Sequence, residues 1–215
     1  MTTRIKICGI VRPEDAAIAA ELGADAIGIV FTPLSSRCVT IKQAQEIIAA
    51  IPMGVSVVGL FLDPKREDVL KVLQNIQLDW LQFHGRESPA FCRRFAVPYI
   101  KAIGAGRDAA GNIADLHALR DDYADAAALL YDGNIHGAAG GTGHRADWKK
   151  LPEGEGRTIV LAGGLTPENV AEAIGIVRPY AVDVSSGVED SPGVKSRSKI
   201  EMFINEVRRA DAAAI

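Results

Sequence analysis

Four side chains capable of proton transfer or anion capture stand at or just past the end of a β-rich run. Cys8 closes the run Arg4–Cys8, His84 closes Trp80–His84, Asp132 closes Ala128–Asp132, and Arg37 follows Ala26–Phe31 after a short loop. A thiolate can remove a carbon-bound proton and a protonated carboxyl can supply one, so Cys8 and Asp132 in one cleft would make an acid–base pair. Each residue also has an ordinary reading. A cysteine near a strand end is commonly a small buried hydrophobe. Its use as a base requires a thiolate, which Lys6, two residues earlier, would favour by lowering the thiol's pKa. Asp132 is harder to place in a core, because a buried carboxylate requires partners. Arg37 taken alone is a solvated surface cation, and His84 alone is more often a hydrogen-bonded structural histidine than a substrate contact.

The last two β-rich runs end in glycine-containing turns, Ala162-Gly163-Gly164 and Ser185-Ser186-Gly187. Such ends bring backbone N–H groups close to an anion, and a following helix N-terminus adds partial positive charge, so a phosphate is the expected occupant. Strand alternation puts Lys6 and Cys8 on one face of the first run, opposite Ile5 and Ile7, and puts Asp183 and Ser185 together on the last. If the sheet closes, Lys6 and Asp183 can pair inside it; a structural ion pair and a substrate role for Asp183 are both open. Cys8, Cys38 and Cys92 lack paired spacing, and His117, His136 and His144 lack ligand spacing, so neither a disulfide framework nor a metal site is expected. Two glycine-rich runs are set aside. Gly104–Ala109 fits a loose dinucleotide fingerprint, but the helix that follows starts later, near Asn112, and the unit is the fifth rather than the first. Gly140–Gly143 leads to His144 and lacks the lysine of a phosphate-gripping loop. No cofactor is expected.

These residues need a scaffold that gathers strand ends. Eight β-rich runs occur: Arg4–Cys8, Ala26–Phe31, Val55–Leu62, Trp80–His84, Tyr99–Ile103, Ala128–Asp132, Thr158–Ala162 and Ala181–Ser185. Most are separated by helical patterns. Pro13, Pro64, Pro89 and Pro167 suit first helical turns, with Asp63, Ser88 and Thr166 before three of them as N-caps. Thr40 with Gln43 and Ser198 with Glu201 have capping-box spacing, and Gly23 suits a helix C-terminus. Eight strands in 215 residues leave about 27 per unit, close to the minimum for a strand, a helix and two loops. The pattern begins with a strand and ends with a helix, as a closed (β/α)8 barrel requires; a doubly wound open sheet would leave two units spare. The expected fold is therefore α/β, a single (β/α)8 TIM barrel spanning residues 1–215. Its weakest unit is the sixth, where Gly133–Gly143 reads as a mobile cover for the active site and only a brief helix follows near Asp147–Leu151.

The content of 48% hydrophobic and 24% charged residues is that of a globular chain, not a disordered one. A net charge of −3 supplies no field to hold nucleic acid or an anionic membrane. The polar start Met1-Thr2-Thr3-Arg4 and the lack of a long apolar run argue for a cytoplasmic protein without a signal peptide or membrane helix. Monomer and homodimer are equally compatible with the sequence.

Over essentially its whole length the chain resembles the phosphoribosylanthranilate isomerase family of the tryptophan pathway. The resemblance rests on Lys6-Ile7-Cys8-Gly9-Ile10, Gly23–Gly28, Gln82-Phe83-His84-Gly85, Gly140–Gly143 with Asp147-Trp148, Ala162–Val170, and Ala181–Glu189 followed by Pro192-Gly193. It implies a cofactor-free Amadori rearrangement of N-(5-phosphoribosyl)anthranilate. Cys8 would be the general base, Asp132 the general acid, and Arg37 the partner of the anthranilate carboxylate. Gly163, Gly164, Ser185, Ser186 and Gly187 would hold the phosphate, with His84 and Asp183 as weaker candidates for substrate contact. Leu34, Ser36 and Cys38 depart from the lysine, proline and aromatic residue that the family often carries around that arginine. Tyr131 and Gly133 also depart, flanking the acid where the family favours leucine and a small polar residue. Alternatives are another phosphosugar barrel isomerase, whose histidine-pathway form uses aspartate where Cys8 stands, or a barrel that binds phosphosugars without catalysis.

Overall fold

Alternation along the strands decides which side chains fill the inside of the sheet and which meet the helices. In the computed structural model, which describes residues 2–106, 114–134, 146–151 and 158–213, eight parallel strands form a closed barrel in chain order. They are β1 (Arg4–Cys8), β2 (Ala26–Val30), β3 (Ser56–Phe61), β4 (Trp80–Phe83), β5 (Tyr99–Gly104), β6 (Ala128–Asp132), β7 (Ile159–Leu161) and β8 (Ala181–Val184). The closing ladder pairs β8 with β1 and sets Lys6 beside Asp183. The TIM-barrel expectation holds.

Ile5, Ile7, Ile27 and Ile29 point outward into the layer beneath the helices, while Cys8, Val30, Val58, Leu60, Ile100 and Leu130 pack inside. Small inward residues (Gly28, Ala102, Ala162, Ala181) leave room at the barrel's centre for the buried polar groups Lys6, Gln82 and Asp183. Several strands are one or two residues shorter than the β-rich runs. Phe31, Leu62, His84 and Ser185 have left the ladder and belong to the loops above it.

The helices are α1 (Pro13–Leu22), α2 (Ile41–Ala49), α3 (Arg66–Leu73), α4 (Pro89–Cys92), α5 (Leu116–Asp122), α6 (Val170–Val177) and α7 (Arg197–Ala213). Between β6 and β7 the described residues hold only a 3-10 turn at Trp148–Lys150. The expected cover at Gly133–Gly143 falls mostly outside the described residues, as do Asn112, His136 and His144. Thr40 and Gln43 form the expected capping box, Ser88 caps α4, and Gly23 ends α1 at φ +104°.

Three expected caps are corrected. Asp63 does not cap α3, which starts after Lys65; its carboxylate accepts the Arg86 N–H (2.6 Å), and its own N–H donates to Glu87 (2.8 Å). Thr166 opens a turn whose carbonyl accepts from Asn169 and Val170, so α6 begins later. Ser198 lies inside α7, because that helix starts at Arg197.

One element was not expected, a hairpin of β9 (Glu189–Ser191) and β10 (Val194–Lys195). Its turn is Ser191-Pro192-Gly193-Val194, with Gly193 at φ +82°, the conformation a type II turn demands at that position. The last helix fastens the first strand: Asp211 accepts from the Thr3 N–H (2.9 Å) and hydroxyl (2.6 Å), and Arg208 donates to the Thr3 carbonyl (2.7 Å).

Candidate active site

A pocket opens at the carboxyl ends of the strands. Cys8, Arg37, His84, Asp132 and Asp183 border it, together with Gly163, Gly164, Ser185, Ser186 and Gly187, so every candidate of the sequence reading meets there.

Cys8 lies across the ladder from Gly28, where a Cβ would sit 2.8 Å from the Cys8 sulfur; glycine at position 28 makes space for the thiol. Beneath it the Lys6 ammonium donates to Gln82 Oε1 (2.9 Å) and lies 3.0 Å from Asp183 Oδ2, so the expected Lys6–Asp183 pair forms inside the barrel. The expected lowering of the thiol's pKa does not hold. Burial pushes the Cys8 thiol up and the Asp183 charge adds to this, while Lys6 and Lys195 pull only partly the other way. Asp183 Oδ1 is buried with no hydrogen-bond partner among the described residues, on a side chain that borders the pocket.

Asp132 stands on the far side. Its Oδ1 accepts from the Asn134 N–H (2.8 Å) and side-chain amide (2.5 Å), which leaves Oδ2 turned toward His84 Nε2 at 4.0 Å. Burial pushes the His84 imidazole below its usual range despite the nearby carboxylates of Asp132 and Asp183, so the ring is neutral at pH 7. With Gln82 Nε2 3.3 Å from His84 Nδ1, the hydrogen-bond network assigns the proton to Nε2, facing Asp132.

Arg37 enters from the loop before α2, where the capping box of Thr40 and Gln43 sets the helix start. Its Nε and Nη2 donate to the two oxygens of Glu189 at 2.7 and 2.6 Å, a planar two-point pairing. Glu189 is held in turn by Lys195 Nζ (2.7 Å), which also donates to the Ser185 carbonyl (3.0 Å). Burial works to raise the Glu189 carboxyl, but the Arg37 hydrogen bonds and the Lys195 charge bring it below the usual carboxylate range.

The glycine turns after β7 and β8 lie side by side. Gly163 (φ +81°) and Gly164 (φ +63°) take conformations that favour glycine, and a Cβ on Gly187 would collide with the Leu165 carbonyl. Among the described residues, no acceptor takes the N–H of Gly164, Ser186 or Gly187. Asn169 knits the first turn, accepting from the Thr166 N–H (2.9 Å) and donating to the Gly164 carbonyl (2.8 Å). These N–H groups can receive a phosphate.

Sequence reasoning missed Gln82, Asn134, Asn169, Glu189 and Lys195 as members of the site. The Ser-Pro-Gly turn signal could have found the hairpin carrying the last two. Arg37, the partner of Glu189, is 152 positions away, beyond any local pattern.

The family model described as N-(5'phosphoribosyl)anthranilate (PRA) isomerase matches residues 5–206. An N-(5'-phosphoribosyl)anthranilate isomerase of Halorhodospira halophila is 50% identical over 98% of this chain and 99% of its own length. One from Pseudomonas fluorescens is 52% identical over 95% and 98%. Among solved structures, the phosphoribosyl anthranilate isomerase of Thermotoga maritima superposes with a TM-score of 0.84 at 38% identity, covering 97% of this chain and all of the other. A structure of such an enzyme in complex with reduced 1-(o-carboxyphenylamino)-1-deoxyribulose 5-phosphate gives 0.83 at the same identity and coverage. With a closed eightfold barrel, a carboxyl and a thiol bordering one pocket at its mouth, and these similarities along its length, the chain belongs to the phosphoribosylanthranilate isomerase family.

Proposed function

We propose that Cys8 and Asp132 are the general base and general acid with which this chain isomerises N-(5'-phosphoribosyl)anthranilate to 1-(2-carboxyphenylamino)-1-deoxyribulose 5-phosphate. The observation that carries the reading is the meeting of a thiol, a carboxyl, an arginine and two glycine turns around one pocket. Asp132, through the oxygen not bound by Asn134, protonates the ring oxygen and opens the furanose to a Schiff base. The positive charge left on that nitrogen acidifies the C2 proton. It also favours the Cys8 thiolate, offsetting the burial that raises the thiol. Cys8 removes the C2 proton to give an enolamine, which takes a proton at C1 as its C2 hydroxyl loses one, and the ketone results. Each proton transfer accounts for about 10²–10⁴ in rate.

Arg37 receives the anthranilate carboxylate, and the turns at Gly163-Gly164 and Ser185-Ser186-Gly187 receive the phosphate. His84 and Asp183 border the sugar between them. Residues 1–215 act as one domain on a diffusible cytoplasmic substrate; among the described residues no helix is long and apolar enough to cross a membrane. Freshly prepared substrate incubated with the purified protein should lose its anthranilate fluorescence at a rate proportional to enzyme. A folded protein that leaves the signal at the spontaneous rate sinks the proposal.

A further inference from the structure

The Arg37 guanidinium is already engaged on one edge. Nε and Nη2 face the two Glu189 oxygens, and the Glu189 side chain is 4% exposed, so it cannot turn to solvent. Nη1 has no partner among the described residues, and Arg37 borders the pocket. A carboxylate arriving from the pocket therefore meets the outer edge of a guanidinium whose inner edge is clamped. Unclamped, an arginine side chain would lose rotamer freedom on fixing that geometry.

The clamp reaches further. Lys195, fully buried, bridges Glu189 Oε1 and the Ser185 carbonyl, the residue that opens the second phosphate turn. Its own N–H donates to Asp15 Oδ2 (3.1 Å) in α1, and Lys199 Nζ holds the Glu189 carbonyl (2.6 Å). The two anion sites at opposite ends of the substrate are thus linked by one relay of contacts, Arg37–Glu189–Lys195–Ser185, whose two middle members are buried.

We infer that Glu189 and Lys195 are positioning residues that preorganise Arg37 for the substrate carboxylate and couple that site to the phosphate turn. The inference rests on the assignment of Arg37 to the carboxylate. Neither residue touches the reacting atoms; their effect is on binding, and on how tightly the two ends of one ligand are felt together.

The test compares Glu189→Gln, Glu189→Asp, Lys195→Met, Arg37→Ala and the double variant Arg37→Ala/Glu189→Gln. Steady-state kinetics and competition by anthranilate and by inorganic phosphate are measured on proteins whose thermal unfolding shows them folded. Glu189→Gln is expected to raise KM about tenfold or more with kcat within about threefold, to weaken anthranilate similarly, and to weaken phosphate by about threefold through the unpaired Lys195; phosphate binding unchanged in both Glu189→Gln and Lys195→Met overturns the coupling. Glu189→Asp, which keeps the charge but withdraws it by one methylene, should give the same split if Glu189→Gln fails to fold. Lys195→Met should weaken both probes. In the Arg37→Ala background, Glu189→Gln should add less than about twofold to KM. Full additivity there, or an unchanged KM in both Glu189 variants, overturns the relay. An Arg37→Ala protein with unchanged KM overturns instead the carboxylate assignment beneath it.

Discussion

Cys8 is placed against its own ionisation: burial and Asp183 push its thiol up, and Lys6, already committed to Gln82 and Asp183, pulls it down only in part. The free protein at neutral pH therefore holds a thiol, and the thiolate appears when substrate brings positive charge or when pH rises. Alkylation of Cys8 should keep accelerating with pH beyond about 9.5, where an ordinary cysteine of pKa about 8.5 nears its plateau. The measurement belongs in a Cys38→Ser background, since Cys38 is exposed, while burial pushes Cys92 to about 12 and keeps it inert. An alkylation rate already flat by pH 7 would contradict the raised thiol. Replacing Cys8 with serine, or Asp132 with asparagine, should lower kcat by about 10²–10⁴ with the fold intact, because a hydroxyl is a far weaker base and an amide donates no acidic proton. The asparagine variant should stall before ring opening, so a reduced, pre-opened analogue should still bind both. Near-normal turnover in folded Cys8→Ser would remove Cys8 from the chemistry.

The elements that carry these residues differ in how openly the sequence announces them. The eight strands are legible because inward and outward residues alternate, and Ile5 and Ile7 opposite Lys6 and Cys8 settle which face of β1 turns inward. Helix starts are less so: an Asp or Thr before proline serves a turn as well as a cap, and at Asp63 the distant Arg86 and Glu87 took the polar groups while at Thr166 a local turn with Asn169 did. That Cys8 and Asp132 border one pocket was legible from their places at strand ends. The Arg37–Glu189 clamp was not, because only barrel closure brings the loop before α2 to the hairpin after β8.

Two outcomes follow at this scale. Thr40→Ala removes the hydroxyl that accepts from Gln43 and should cost about 1 kcal/mol, read as a melting point lower by about 2–4 °C. Glu189 titrates below its unfolded value, so its contribution to stability is complete above the ordinary glutamate range and is lost as pH falls through the lower folded value. The melting advantage of the wild type over Glu189→Gln should be present at pH 7 and vanish in acid. An advantage that grows as pH falls would reverse the sign assigned to this carboxylate.

At the scale of the whole molecule, the phosphate turns lie on the seam where the barrel closes. Gly163-Gly164 follow β7, Ser185–Gly187 follow β8, and β8 pairs with β1, which α7 fastens through Thr3 and Asp211. The turns come together only when the last two strands have found their places, so an anion bound across them binds the closed barrel and not the unfolded chain. Mass action then makes phosphate a stabiliser of the entire fold: at about 100 times its Kd it should add about 2.7 kcal/mol. For a chain of 215 residues that corresponds to a melting point higher by about 5–10 °C. Sulfate should act similarly, and matched ionic strength from chloride should not, since the site is built from convergent N–H groups rather than diffuse charge. Gly187→Ala, whose new methyl would strike the Leu165 carbonyl, should lose most of this response along with some baseline stability. A melting point that rises with phosphate no more than with chloride would place the anion elsewhere, and with it the far end of the substrate.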